Sequence, residues 1–97
     1  MNHRSKALRE SARDERCVYC ERMDGTVVWA HSNEQRHGKG MSIKAHDLLG
    51  NYLCGACHNL YDRSALSREQ KHAMFRECYP RTMTRVAEKL AAGELTL

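Results

Sequence analysis

Two CxxC pairs, Cys17/Cys20 and Cys54/Cys57, constrain this chain more than any other feature. Each short spacing lets two thiolates of one tight turn reach the same ion. Four thiolates from two such turns satisfy tetrahedral zinc, in the manner of a zinc ribbon or treble clef. The pairs stand about 33 residues apart, so a shared centre would pin the first quarter of the chain to its middle. A site of this kind contributes roughly 10–16 kcal/mol to folding in small zinc peptides. That matters in a chain of 97 residues with a single Trp and a single Phe, because such a chain buries only about 60–65% of its unfolded surface. The fifth cysteine, Cys78, falls on an apolar helical face and reads as a small buried hydrophobe.

The opening segment MNHRSKALRESARDER has no apolar stretch of the kind a secretory leader carries, and no run has membrane length. A cytoplasmic protein is therefore expected, with no membrane partner. In that compartment paired cysteines act as metal ligands in preference to disulfides. Sixteen Lys and Arg against twelve Asp and Glu leave a net charge of +4, which favours polyanionic partners such as nucleic acid.

Local patterns outline an α+β chain, treated as one domain over 1–97: an N-terminal helical segment to 16, a zinc-bound core over 17–64, and C-terminal helices over 65–97. HRSKALRESARD, residues 3–14, predicts a short charged helix whose few apolar residues, Ala7, Leu8 and Ala12, dock on the zinc-bound part or on a partner. Asp24-Gly25 marks a turn, and TVVWAH, 26–31, predicts a strand. Residues 32–45 form a polar loop whose cations are Arg36, Lys39 and Lys44. A short apolar stretch leads into the second CxxC, and a helix follows Cys57 through HNLYDRS. Ser67 with Gln70 matches a capping box. Pro80 ends that helix or opens the next, and Gly93 is positioned to cap the last one.

Four sulfurs saturate zinc, so His58, directly behind Cys57, is free for other work. On a helix His58 and Asp62 are i and i+4, which places an imidazole and a carboxylate on one face. Such a pair could hold a divalent cation with positions left open for water and substrate, as phosphodiester hydrolysis requires. A second imidazole would deprotonate the attacking water, and His31 at the end of the predicted strand is the candidate base. Asp47 could orient it. The plainer alternatives are a hydrogen-bonded structural His31 and a helix-surface pair at His58 and Asp62. His37 and His46 compete for either role.

The run WAHSNEQRHGKGMSIKAHDLLGNYLCGACHNLYDRS resembles the core of HNH (ββα-metal) endonucleases, and most closely the small prophage-encoded YbcO-like nucleases. The resemblance rests on Ala30-His31, a basic Gly-containing loop, Asp47-Leu48, and CxxCH with a following acid and Arg63. It implies a zinc-stabilised ββα-metal core, HNH- or treble-clef-like, with flanking helices. It also implies a metal-dependent endonuclease acting on DNA, with RNA left open. His31 matches the family's general base, His58 its last metal-binding histidine, and Asp62 a position where some members carry another ligand. Asp47 falls near the central Asn that orients the base. The implied cofactors are a structural Zn²⁺ and a catalytic Mg²⁺, Mn²⁺ or similar ion. Arg36, Lys39, Lys44 and Arg63 would contact phosphates. Ala30 stands where many members supply a further metal ligand, so the metal would rest on fewer protein ligands or Asp62 would substitute for the missing one. The rival reading is a zinc-ribbon module that binds nucleic acid without cutting it.

Overall fold

The computed structural model describes residues 6–34 and 48–97. Five elements follow in order: α1 (Lys6–Ser11), β1 (Val28–His31), β2 (Gly50–Leu53), α2 (Gly55–Arg63) and α3 (Arg68–Ala91). The chain is α+β as expected, and among the described residues its sheet is a two-stranded antiparallel pair.

The register sets Val28 against Leu53, Trp29 against Tyr52, Ala30 against Asn51 and His31 against Gly50. Alternation along the strands then sorts the faces. Trp29 and Tyr52 meet edge to face, with ring centroids 5.1 Å apart. On their side lies α1, whose Leu8 is fully buried and whose Ser11 hydroxyl is 2.8 Å from the Tyr52 hydroxyl. The opposite side buries Ala30, Asn51 and Leu53 against Tyr61, Met74, Phe75 and Cys78. Gly50 has a steric reason to be glycine. A Cβ there would stand 2.6 Å from the Trp29 ring, closer than carbon atoms can approach.

The N-terminal helix ends at Ser11 and not at Asp14, where Ser11 turns its hydroxyl back onto the Leu8 carbonyl at 2.7 Å. Arg13 and Glu15 then close turns onto Glu10 and Ala12. β1 starts at Val28 and not at Thr26, whose side chain is already engaged. Its hydroxyl donates to Asp24 at 2.6 Å and accepts from the Gly55 amide at 2.9 Å.

The largest departure lies at Pro80, which neither ends nor opens a helix: α3 runs unbroken for 24 residues through it. An internal proline deletes one helical hydrogen bond and costs ~3 kcal/mol. Packing on both sides offsets that cost here. Phe75 and Cys78 precede the proline and Thr82 and Val86 follow it, all buried on one face, while Pro80 itself faces solvent. Thr82 is anchored further by donating to the Asn51 side chain at 2.6 Å. The N-terminus of α3 carries the expected capping box, with Ser67 Oγ accepting from the Gln70 amide and Gln70 Oε1 from the Ser67 amide. Its C-terminus closes as a Schellman motif. Gly93 takes a φ of 75°, its amide donates to Leu90, and the Glu94 amide donates to Lys89.

The two ends of the chain are joined by charge. Glu15 is buried and accepts from Arg85 Nε at 2.9 Å, while Lys89 Nζ stands 2.9 Å from its other oxygen. Burial works against the carboxylate, but the bonds from Arg85 and Lys89 outweigh it and hold the Glu15 pKa below the ordinary glutamate value.

Candidate metal centre and active site

The first CxxC forms a closed knuckle. The Glu21 amide donates to the Cys17 carbonyl and the Cys17 amide to the Arg22 carbonyl, both at 2.9 Å. The Cys20 amide points at Cys17 Sγ, 3.5 Å away. Closing the turn forces Glu21 to a φ of 66°, the left-handed region that suits glycine. Two bonds fix the knuckle to the body of the protein: the Val18 amide donates to Tyr52, and Arg81 donates to the Val18 carbonyl.

The second CxxC is built by the junction of β2 and α2. Cys54 ends the strand and serves as the N-cap residue of the helix, with Cys57 in its first turn. The four sulfurs come together, all within 4.8 Å of one another, and Cys20 Sγ lies 3.6 Å from Cys54 Sγ. Sulfurs bound tetrahedrally to zinc at ~2.3 Å would stand about 3.8 Å apart. The donor set therefore fits a structural metal such as zinc. Burial opposes ionisation of Cys17, yet amides of Cys20, Cys54 and Tyr19 overcome it and lower the pKa to about 7. Burial and the neighbouring thiols push Cys54 and Cys57 upward. A divalent cation would remove that conflict by stabilising all four thiolates at once. Cys78 is fully buried and burial pushes its thiol up to about 12, in keeping with a packing role.

One residue beyond Cys57, the helix turns His58 outward. Its Nε2 lies 3.0 Å from Asp62 Oδ2, and both side chains are more than one-third exposed. Neighbouring ligands of an octahedral ion at ~2.1 Å would be about 3.0 Å apart, so the two donor atoms already converge at a suitable separation. His31 ends β1, half-buried. The same part of the chain is tied to α2 by Tyr61, whose hydroxyl accepts from the Asn33 amide at 2.9 Å and donates to Asn33 Oδ1 at 3.0 Å. Burial raises the Tyr61 pKa, so the phenol remains a neutral donor. Ala30 is buried with its side chain in the apolar layer. The position next to His31 thus points into the apolar core, packed with Tyr61 of α2.

Three features escaped sequence reasoning. The Asn33–Tyr61 tie spans 28 residues, and Asn33 offered no signal except its place two residues after His31. Glu34 is buried beside His72 Nδ1 at 3.7 Å and Arg76 Nη2 at 3.5 Å. Lys71 donates to the Asp62 carbonyl at 3.4 Å. Of the expected phosphate contacts, Arg63 is exposed in the last turn of α2. Asp47, Arg36, Lys39 and Lys44, with the competing His37 and His46, lie outside the described residues.

Among the described residues no helix is long and apolar enough to cross a membrane. No curated protein and no solved structure matches the chain significantly. The family model described as "Putative nuclease YbcO" matches residues 6–91. That span takes in both cysteine pairs, His31, His58 and Asp62, and the chain belongs to the YbcO family.

Proposed function

We propose that this chain is a metal-dependent endonuclease of the HNH type, of phage or prophage origin, hydrolysing phosphodiester bonds of DNA in the cytoplasm. The family's description as a nuclease supports hydrolysis of nucleic acid. The observation that carries the finer reading is the convergence of His58 and Asp62 at 3.0 Å, one residue beyond the sulfur cluster and on a helix tied through Tyr61 to Asn33, two residues after His31.

In this reading His58 and Asp62 hold Mg²⁺, Mn²⁺ or a similar ion. The bound ion supplies polarisation of the scissile phosphate and stabilisation of the leaving oxygen. His31 takes a proton from the attacking water, and Asp47 orients its imidazole. Arg36, Lys39, Lys44 and Arg63 contact flanking phosphates, which fixes position without reading sequence. Zn²⁺ on Cys17, Cys20, Cys54 and Cys57 fixes the N-terminus of α2 and so the direction in which His58 points. Ala30 cannot supply a ligand, which is why Asp62 is needed.

The test is cleavage of supercoiled plasmid by wild type and His31→Ala with Mg²⁺, Mn²⁺ or Ni²⁺, alongside a DNA-binding assay. Nicking that depends on the added ion and vanishes in a folded, DNA-binding His31→Ala protein is the expected result. Binding without cutting by wild type under every ion would instead make this a zinc module that only binds nucleic acid.

A further inference from the structure

The corner between α2 and α3 gathers Arg63 with two cations that the catalytic reading leaves unused. Arg63 stands in the last turn of α2, and Arg68 opens α3 after a turn of four residues. The turn is held by its own hydrogen bonds. Ser64 Oγ donates to the Leu60 carbonyl and accepts from the Leu66 amide at 3.1 Å, and the capping box of Ser67 and Gln70 follows at once. Lys71 is three residues after Arg68, so the two share a face of α3. Its ammonium reaches back to the Asp62 carbonyl at 3.4 Å, which places a positive charge directly beside the proposed metal-binding helix.

Charge accounting separates these three from the other cations of α3. Arg76 and His72 face the buried Glu34 carboxylate. Arg81 faces Glu77, and Arg85 is committed to Glu15 and Glu88. Lys89 also faces Glu15. Among the described residues Arg63 and Arg68 have no carboxylate partner and are exposed, and the Lys71 ammonium bonds a neutral carbonyl. Cations with no carboxylate partner break no ion pair when a polyanion arrives, and their binding releases its counterions.

We infer that Arg63, Arg68 and Lys71 form a phosphate-gripping corner that seats the nucleic-acid backbone on the Asp62 side of the site. This inference rests on the nucleic-acid reading above and adds Arg68 and Lys71 to it. The corner grips backbone phosphates, so it acts equally on all sequences.

The test measures binding of a labelled 20-base-pair DNA duplex, and of one of its strands, by the zinc-loaded protein across a salt series without added Mg²⁺ or Mn²⁺. Wild type is compared with Arg68→Gln/Lys71→Gln and with Lys6→Gln/Arg13→Gln, a charge-matched control of two exposed cations in and next to α1. The double variant should weaken binding whatever the sequence and reduce the slope of log K against log salt by about 2 on duplex, roughly one for each phosphate no longer neutralised. The control should leave the slope unchanged. An unchanged slope in a double variant that keeps the wild-type melting temperature overturns the corner even if wild type cuts DNA. A reduced slope in a protein that never cuts sustains the corner and sinks the nuclease reading alone. Absence of any affinity at low salt removes both.

Discussion

The Tyr61 hydroxyl grips Asn33 at two points, accepting from its amide at 2.9 Å and donating to its side-chain oxygen at 3.0 Å. One phenol thereby ties the segment that follows His31 to the helix that carries His58 and Asp62. The two halves of the proposed site come from opposite sides of the 35–47 segment, and this bond joins them across it. In Tyr61→Phe the aromatic packing on Phe75, with centroids 6.2 Å apart, would remain while both polar interactions vanish. The expected cost is ~1–3 kcal/mol in thermal unfolding, because two Asn33 groups are left without a partner. Nicking at a temperature where the variant is folded should fall at least tenfold. Full activity in the folded variant would show that the tie does not position His31.

His58→Ala should leave the fold nearly untouched. Its contact with Asp62 is an exposed i,i+4 pair, which stabilises by only ~0.3–0.5 kcal/mol. Zinc content and melting temperature should match wild type while metal-dependent cleavage disappears. A large drop in melting temperature would assign His58 a structural task instead.

Removing zinc with a strong chelator, or one ligand by Cys54→Ser, should abolish cooperative unfolding. The sulfurs of Cys17 and Cys54 are fully buried, and a vacated cluster leaves polar atoms inside a small core. Far-ultraviolet circular dichroism with and without added Zn²⁺ reads this directly. Retention of a sharp transition without metal would show that the apolar core suffices.

Glu21→Gly should stabilise the protein by about 1 kcal/mol, because Glu21 occupies a left-handed conformation with φ of 66° that costs a side-chain-bearing residue roughly that much. In a domain this size the melting temperature should rise by about 4–8 °C. A fall would mean that the Glu21 side chain contributes more than its backbone strain costs.

Acid should undo the latch between the chain's ends. The folded-state pKa of Glu15 lies below its ordinary value of 4.5. The latch therefore contributes in full above that value and is lost as pH falls through the depressed one. At pH 7 Glu15→Gln should melt lower than wild type, by ~1–3 kcal/mol with Arg85 half-exposed. The difference should shrink steadily below about pH 4.5, where wild type also becomes protonated. A difference that does not change down to pH 3 would place the acid-labile interaction elsewhere.

What could be read in the sequence was whatever a few neighbouring residues decide together. The CxxC spacings, the Ser67–Gln70 box, the Gly93 cap and the His58–Asp62 pair are all set within a turn or two of chain. The fate of Pro80 was not local: Asn51 and the apolar layer hold Thr82 and Cys78 on either side of it from elsewhere in the chain. The same holds for Glu15 and Arg85, 70 residues apart, and for Asn33 and Tyr61. Such partners carry no sequence signature, since any polar residue of suitable length could have filled the role. Gly50 shows the same limit in sterics, its small size dictated by Trp29 on the facing strand.

Cys57 and His58 are adjacent on α2, and consecutive helical residues point about 100° apart. That angle divides the helix into two independently editable surfaces. In the proposed reading a mutation at His58 would erase the chemistry while the anchor beneath it stays whole, whereas a mutation at Cys57 would take the chemistry down with the anchor. On that reading loss of function would run one way only: a chain could lose the chemistry and keep its fold, but could not lose the cluster and keep the chemistry.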